Sequence, residues 1–553
     1  MSPSSDDAEA NKAETLPKPI FQDASLPTWR FWLLSIGLCL GLFLAMLDSS
    51  IVATSLYTIG AEFESMELIN WVALAYTLTY LSCAVLFARL SDVVGRRNAF
   101  LASFVIFFGF SLGCGFAQSL EQLIACRALQ GLGGSGLYSI TMIIFPEVGP
   151  RHLQQHIASL VGMVIASAGV LGPVLGGILT HYASWRWVFW INGPVGLVSM
   201  VVFYLTWPQA EHLPTLQRRS WKELDFVGSC LLIAASVLVV FSFQNAGSDG
   251  NKWQQADFVV PITVGTACFL ALLGWEVLVA RVWEKRIMAA IPIRLLRNHV
   301  YVAAMFNTMF LGFPYLLVVY SFPIRMQVVN SKSALLAGIL LLPMLGSVAL
   351  GSTLGGLMSK SRNFLFETMF VASCFMTLGC GLLTTLSLST ELEPKALGFL
   401  TLVGFGFGLS ATSSTILATT ESNILDHAPA QGIIAQVRIL GGSLGIAAST
   451  AILGTMMREE LAGLVEPEQL SIHGAGMALS ETQATAVRKV YADSFRQAMK
   501  VSTILSSIAI LISLGTYHRN RVSIEVKRQL HIKAEIERRR RESGATTLVS
   551  STE

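Results

Sequence analysis

The sequence predicts an all-α membrane protein whose chain crosses the bilayer many times. Of its 553 residues, 53% are hydrophobic and only 13% are charged, which is about half the charged fraction of an average soluble protein. The mean hydropathy is +0.59. Apolar runs of about twenty residues, the length that a membrane-spanning helix needs, recur along almost the whole chain. These observations exclude a soluble enzyme built of several domains.

The charge balance and the cysteines narrow the class further. The 38 Lys and Arg residues nearly match the 35 Asp and Glu residues, so the chain lacks the basic excess of a nucleic-acid-binding protein. All eight cysteines fall within predicted helices and form no CxxC pair, so we expect neither a disulfide framework nor a metal site. The N-terminal segment is polar and acidic, unlike a signal peptide, so the first helix is expected to direct insertion.

Fourteen membrane-spanning helices are predicted from apolar runs that end at charged residues, Gly, Pro or Asn. They cover residues 33–56, 70–90, 98–118, 121–144, 155–180, 185–206, 226–246, 257–281, 299–323, 334–357, 364–388, 395–418, 431–455 and 497–517. Placing both termini in the cytoplasm puts most of the 38 basic residues on that side, as the distribution of Lys and Arg in membrane proteins requires.

The connecting segments divide the fourteen spans into groups of six, two and six. We predict an N-terminal tail at 1–32, a six-helix bundle at 33–206, a linker with two extra spans at 207–298, a second six-helix bundle at 299–517 and a C-terminal tail at 518–553. The polar segment 458–496 is expected to be a surface helix or a disordered loop. The basic segment 525–543 is either a solvated tail or a helix near anionic lipid.

Charged groups inside the predicted spans are the first functional candidates, because a charge in hydrocarbon is costly unless it has a partner or faces water. Asp48 lies deep in the first span, within AMLDSSIVATSL. Loss of solvent favours the neutral form of a carboxyl group, so we interpret Asp48 as a proton-binding residue; a permanent structural ion pair is the alternative. Arg127, with Gln130 on the same helix face, is the expected partner.

Other charges in the spans are open to two interpretations. Arg438 precedes glycines that allow a neighbouring helix to approach closely. Both Arg438 and Arg127 are alternatively structural donors to backbone carbonyls. Glu276 and Glu367 lie near the cytoplasmic ends of their spans, and for these we favour a charge at the level of the lipid headgroups.

Two further motifs combine charge, glycine and proline. The turn ARLSDVVGRRNAF between the second and third spans carries Asp92, Gly95, Arg96 and Arg97. An acid and a cation at a tight turn can hold or release a neighbouring helix, and a plain cytoplasmic anchor is the alternative. In the fifth span, AGVLGPVLGGILT permits close helix packing and a kink. Its small and kink-forming residues are Gly169, Gly172, Pro173, Gly176 and Gly177.

Taken in order, these motifs resemble the major facilitator superfamily, and within it the fungal-type drug:proton antiporters with fourteen spans. LDSSIVATSL is similar to the family's helix 1 motif, ARLSDVVGRR to its loop 2–3 motif and CRALQGLGGSG to its helix 4 motif. AGVLGPVLGG resembles the antiporter motif, SWRWVFWINGPVG the start of helix 6, and AQVRILGGSLGIA the helix 13 pattern. Ala88 stands where the loop motif usually begins with Gly, and GGLMSKSRN in the second half lacks the acid, so a second clamp there is expected to be degenerate.

The resemblance implies a major facilitator fold, in which two six-helix bundles rock around a central cavity. It implies a proton-coupled efflux transporter of amphipathic toxins, drugs or secondary metabolites, driven by the proton gradient without a cofactor or metal. Asp48 would carry the proton, Arg127 would tune it, and Asp92 with Arg96 would latch the bundles. The polar side chains expected to face the cavity are Tyr76, Gln130, Asn307, Gln436 and Arg438.

The expected partners are the lipid bilayer, protons and the substrate, with no nucleic acid, and we expect a monomer in the plasma membrane. The runner-up is proton-coupled transport of basic amino acids across a vacuolar membrane. A sensor derived from a transporter is disfavoured because only short tails flank the spans. The glycine-rich sequences at 131–136 and 441–445 match enzyme motifs but lie in apolar helices with no strand before them, so catalysis is not expected.

Overall fold

The computed structural model describes most of the chain outside its two tails. The described residues are 27–52, 55–63, 69–148, 154–208, 220–248, 255–283, 286–359, 363–423, 426–461 and 481–517, with residues 524, 526, 527, 530 and 537. Within these ranges the regular structure is helical, and no β-strand is present.

The helices of the first half are α1 to α9. They are Thr28–Ile51, Leu56–Glu62, Asn70–Ser82, Ala84–Val94, Arg96–Gly115, Leu120–Val148, Gln154–Tyr182, Trp187–Trp190 and Asn192–Thr206. Two longer helices follow, α10 (Phe226–Ser248) and α11 (Ala256–Val282). The remaining helices, α12 to α19, are Ile293–Arg297, His299–Val328, Ala334–Ile339, Leu342–Met358, Leu365–Leu383, Lys395–Thr420, His427–Leu461 and Glu481–Ser513.

Twelve described helices are long and apolar enough to cross a membrane, and the number rises to as many as 14 if each of two bent pairs is one span. The first pair is α3 and α4, which meet at 51° where Cys83 leaves helical geometry. The second bend, of 41°, lies within α7 between Gly169 and Val174. It coincides with Pro173, which has no backbone N–H to continue the helical hydrogen bonds.

The helices form two packed groups with separate cores. In the first group, α1 and α3 to α9 surround a core rich in aromatic side chains, including Phe100, Phe104 and Tyr138. In the second, α13 to α19 surround a core that includes Leu317, Met376 and Val403. Close-packed apolar side chains therefore stabilise each bundle internally.

Helices α10 and α11 lie outside both groups, and we call them the accessory pair. Helix α10 packs against α3 of the first bundle and α18 of the second. The Trp71 and Phe241 rings lie 5.4 Å apart, and the Gln436 amide donates to Ser236 Oγ over 2.9 Å. Helix α11 packs on α10, and only 11% of its apolar stretch is buried. The accessory pair therefore borders the seam between the bundles.

The two bundles meet along α7, which packs on α14 and α15, and also at the end that carries the turn at Gly95, which we call the Gly95 end. There Ala88 and Ile143 of the first bundle pack with Ala428 of the second. A Cβ atom at Gly432 would lie 3.3 Å from the Ala88 Cβ. Ala88, which departs from the family's usual glycine, is thus an interface residue between the bundles.

The first helix begins earlier than predicted. Helix α1 spans Thr28–Ile51, whereas the apolar run that begins after the charged residue Arg30 predicts 33–56. The Arg30 guanidinium instead donates to the carbonyls of Thr206 and Trp207 at 3.3 and 2.9 Å. Its charge is satisfied by the end of α9, so the helix continues past it.

The last helix also begins earlier than predicted, at Glu481 rather than residue 497. The segment expected to be a surface helix or loop is, from residue 481 onward, the first half of α19. Its apolar side chains Val490 and Tyr491 are buried against Val329 and Leu461 at the ends of α13 and α18. Residues 462–480 and most of the basic segment 525–543 lie outside the described residues.

Candidate functional site

A fully buried polar cluster surrounds Asp48 inside the first bundle. Asp48, Arg127 and Gln130 each have 0% exposure, and Asn192 has 1%. Arg127 Nη1 donates to Asp48 Oδ2 as an ion pair. Gln130 Nε2 and Asn192 Nδ2 each donate to Oδ1 over 2.9 Å. The carboxylate therefore accepts three hydrogen bonds and is satisfied in its charged form.

Arg127 is held by groups on several helices besides Asp48. Its Nε donates to the Val72 carbonyl over 3.0 Å, and its Nη1 donates to Gln130 Oε1 over 2.8 Å. The guanidinium carbon lies 4.2 Å from the centre of the Tyr76 ring, within cation–π range. The structure thus confirms the predicted contact of Arg127 with Asp48 and gives Arg127 partners that remain if the carboxylate leaves.

Asn192 was missed by the sequence analysis. It is the first residue of α9, and its amide nitrogen also donates to Ser111 Oγ over 3.0 Å, while Ser111 donates to the Phe189 carbonyl. Its Oδ1 has no hydrogen-bond partner in the described part of the chain. The sequence signal was an amide within the mostly apolar stretch WVFWINGPVG, after Ser184 and Arg186.

Glycines in α6 bring Tyr76 to the cluster. A Cβ atom at Gly131 would lie 2.5 Å from the Tyr76 carbonyl oxygen, and one at Gly134 would lie 2.7 Å from the Tyr76 hydroxyl. That hydroxyl donates to the Ala45 carbonyl over 2.6 Å, so Tyr76 ties α3 to α1. Small residues in α6 are required for this approach. In this conformation the side chains of Tyr76 and Gln130 contact Arg127 and Asp48, respectively.

The glycine segment of α7 contacts α1 beside Asp48. A Cβ atom at Gly172 would collide with Ser50 and lie 3.0 Å from the Ile51 backbone nitrogen. Ser50 Oγ donates to the Ala168 carbonyl over 3.1 Å. The other glycines of the segment differ: Gly169 has only an ordinary 3.9 Å contact with Val319, and Gly177 has nothing within 4 Å, while Gly176 is buried.

The turn between α4 and α5 carries an ion-pair network with a member that the sequence did not indicate. Arg96 lies 2.6 Å from Asp92 Oδ1 and binds both oxygens of Glu147, at 2.9 and 3.1 Å. Gly95 has φ 93°, a conformation that favours glycine. Arg97 points elsewhere, 4.4 Å from the Tyr204 ring centre.

All the charged members of this network belong to the first bundle. Asp92, Arg96 and Glu147 join α4, α5 and α6, whereas contact with α18 is made by the neighbouring apolar residues Val85 and Ala88. The network therefore fixes the helix that meets the other bundle. The Asp92–Arg96 pairing was predicted, and Glu147 was missed because it follows its span in sequence and approaches only in the fold.

The predicted polar residues of the second half are dispersed. Arg438 Nη2 donates to Ser414 Oγ over 2.9 Å inside the second bundle. Gln436 faces the accessory pair through Ser236. Asn307 donates to Ser373 Oγ and to the Ala509 carbonyl, both at 2.9 Å. The Asn307 amide nitrogen is therefore bound between helices of one bundle, and it does not meet Gln436 at a shared surface.

A partly exposed cluster at the opposite end joins α2 to the residues just before α8. Glu62 accepts hydrogen bonds from Trp185 Nε1 over 2.6 Å and from Arg186 Nη1 over 2.7 Å. Burial acts to raise the pKa of Glu62, but these two hydrogen bonds and the charge of Arg186 together lower it below its ordinary value. The cluster anchors the short helix α2.

Glu276, predicted to be a charge at the headgroup level, is buried within the protein. It has 0% exposure, and its Oε1 accepts from the Ile291 backbone nitrogen over 2.8 Å. The returning segment after α11 folds over the carboxylate, which sequence position alone did not show. Among the described residues, no group of three or more His, Cys, Asp or Glu side chains could hold a metal ion.

Comparison with known proteins agrees with this architecture. A family profile described as Major Facilitator Superfamily matches residues 38–450. The chain is 32% identical over 500 residues to the MFS-type transporter FPY5 of Fusarium mangiferae, covering 88% of this chain and 83% of that protein. It is 27% identical to the efflux pump roqT of Penicillium rubens, covering 88% of this chain and 90% of the pump.

A solved structure has the same fold. The crystal structure of a bacterial homologue of the human lysosomal transporter Spinster, inward-facing and unoccupied, matches with a TM-score of 0.53 at 16% identity. The match covers 89% of this chain and 99% of that one. At this identity the similarity concerns the fold alone.

Proposed function

The chain belongs to the major facilitator superfamily, a family of transporters rather than enzymes, and from that premise we propose that it is a proton-coupled efflux transporter for amphipathic small molecules. The observation that carries the proposal is the buried Asp48–Arg127 pair with its amide donors Gln130 and Asn192. A single carboxylate buried among reorganisable donors is suited to bind and release one proton.

The proposed coupling step begins at Asp48. In the conformation described here the carboxylate is paired, which corresponds to the deprotonated state. A proton bound at Asp48 removes its charge and leaves Arg127 as an uncompensated buried cation, held by Val72 and Gln130. Because an unpaired buried charge is costly, the bundle is driven toward a conformation in which Arg127 gains contact with water.

We propose the orientation of the protein in the membrane from the positions of its basic residues. We assign the Gly95 end, with Arg96 and Arg97, to the cytoplasm. The bundles touch at that end through Ala88 and Gly432, so this conformation is closed toward the cytoplasm at that contact. Alternating access requires the contact to open, and the Asp92–Arg96–Glu147 network positions the helix that makes it.

The proposed substrate class is argued from the two buried arginines, and the proposed direction of transport from the named relatives. Arg127 Nη1 and Arg438 Nη2 donate to groups of the protein itself, which reduces their capacity to bind an anionic cargo. A relative of similar length is named an efflux pump. We therefore propose export of lipophilic, ring-containing, neutral or cationic molecules, by a monomer in the plasma membrane.

Dye accumulation tests this proposal. In a host that lacks its own efflux pumps, expression should lower the accumulation of a lipophilic cationic dye, and collapse of the proton gradient should restore it. An Asp257→Asn variant, altered at an exposed site on α11, should behave like the unaltered protein. If vesicles instead accumulate lysine or arginine and ignore the dye, transport of basic amino acids replaces the proposal.

A further inference from the structure

A second buried carboxylate lies in the accessory pair, far along the chain from Asp48. Most of α11 faces outward, but Leu272, Glu276 and Val279 form a buried stripe at helical spacing. Glu276 Oε2 is buried and has no hydrogen-bond partner in any described segment. Only one carboxylate oxygen of Glu276 therefore accepts a hydrogen bond, from the Ile291 N–H.

A second carboxylate at this site is Asp225, just before α10, and it accepts more hydrogen bonds than Glu276 does. Asp225 Oδ1 accepts from Gly228 N over 2.7 Å and from Trp275 Nε1 over 2.9 Å, and Oδ2 accepts from Ala290 N over 3.3 Å. Asp225 and Glu276 thus bind the consecutive N–H groups of Ala290 and Ile291. Two carboxylates that share one site disfavour each other's charge, and Glu276, with fewer donors, is the one that takes the proton.

A buried cation contacts the same part of the chain. Arg89 of α4, with 4% exposure, donates to the Ala289 carbonyl and lies 3.8 Å from Asp92. Among the described residues, the basic side chains at the end of α11, in the segment after it and in α12 are exposed. They are Arg281, Arg286, Arg294 and Arg297.

The returning segment, residues 286–292, connects this site to the ion-pair network. One side of it is held by Asp225 and Glu276, and the adjacent Ala289 carbonyl is held by Arg89. Arg89 neighbours Asp92, which pairs with Arg96. A change in how firmly Glu276 holds Ile291 is therefore transmitted to α4, the helix that meets the second bundle.

We propose that Glu276 is a second proton-binding carboxyl group. Its protonation state determines how firmly segment 286–292 is bound beside Arg89, and thereby whether the two bundles stay in contact at the Gly95 end. Ionised Glu276 is the stronger acceptor and holds the segment; protonated Glu276 releases it and favours opening. The proton comes from water at the Gly95 end and returns there. The link to opening rests on the alternating-access function proposed above, whereas the titration of Glu276 does not.

Infrared difference spectroscopy tests the titration on the full-length protein in lipid nanodiscs. Raising the pH should remove a carbonyl band of a protonated carboxyl group, and one component should be missing in Glu276→Gln while persisting in Asp257→Asn. If Glu276→Gln does not fold, Asp225→Asn serves instead, and the midpoint of the band should fall by about one pH unit, since the neighbouring anion is gone. A spectrum unchanged in Glu276→Gln, or an unchanged midpoint in Asp225→Asn, overturns the proposal.

Distances between the bundles test the coupling. Spin labels introduced through unnatural amino acids at Asn98 and Asn423, both exposed, should move apart at acid pH. In an Asp48→Asn background part of the pH response should remain, and adding Glu276→Gln should abolish it. A residual response that survives Glu276→Gln, or no residual response at all, refutes the coupling. If Asp48→Asn transports normally, the function proposed for Asp48 fails while the Glu276 band still stands.

Discussion

Asn192, the first residue of α9, donates from its amide nitrogen to Oδ1 of Asp48 in α1 over 2.9 Å. The two residues are 144 positions apart in the sequence. This bond places the sixth span in direct contact with the proposed proton site. It also allows a donor to be removed without altering the ion pair between Asp48 and Arg127.

Asn192→Ala should move the pH of half-maximal transport upward by about one to two units, because a hydrogen bond to a charged group stabilises that group by roughly 1.5–3 kcal/mol. Transport in vesicles, measured across a series of pH values, checks this shift. Asn98→Ala, at an exposed site on α5, is the control. An unshifted profile in Asn192→Ala would show that the bond does not influence the proton.

Gly172→Ala should reduce both stability and transport, because the added methyl group collides with Ser50 and forces α7 away from α1. Overpacking of this kind costs about 1–3 kcal/mol. Gly177→Ala, five residues along the same helix with nothing within 4 Å, is the matched control and should be neutral or slightly stabilising. Thermal unfolding in detergent compares them. Equal behaviour of the two variants would argue against the close contact.

Arg96→Glu should slow turnover more than Asp92→Lys does, because the new carboxylate faces both Asp92 and Glu147. Neither change should alter substrate affinity, since the network positions a helix and does not touch cargo. Maximal rates and binding constants, measured separately, decide this. A loss of affinity at an unchanged maximal rate would contradict the positioning role, and recovery in the double exchange would support direct pairing.

Glu62→Gln should lower stability near neutral pH by less than about 1 kcal/mol, because the carboxylate is partly exposed and the pair is screened. Since the pKa of Glu62 is lowered in the folded protein, its contribution is present above the ordinary Glu pKa and is lost as the pH falls through the lowered value. The difference in melting temperature between the variant and the unaltered protein should therefore vanish in acid. A constant difference would exclude this mechanism.

The sequence predicted the membrane architecture and the central ion pair for physical reasons. The length of an apolar run can be read directly from the local sequence. So can a lone charged residue within such a run, such as Asp48 or Arg127. The same reasoning misjudged helix ends at Arg30, because a charge can be satisfied by a distant helix terminus. The number of spans also depends on whether the bent pair α3 and α4 is one span.

Residues that act through tertiary contacts escaped prediction. Asn192 and Glu147 are ordinary polar residues in their own segments, and only the fold brings them to Asp48 and Arg96. The burial of Glu276 does not follow from its position near the end of its span, because it depends on segment 286–292 folding back over it. Which polar side chains face a substrate depends on how each helix is rotated about its axis. Asn307 and Gln436, both predicted to face the cavity, donate hydrogen bonds to neighbouring helices.

The most direct test of the account is transport by Asp48→Asn in reconstituted vesicles. The amide has the shape of the carboxyl group but cannot exchange a proton, so transport driven by a pH gradient should fall to the level of protein-free vesicles. Substrate exchange without a gradient should persist, and Asp257→Asn should retain both activities. Gradient-driven transport by Asp48→Asn at the unaltered rate would contradict the claim that Asp48 carries the proton.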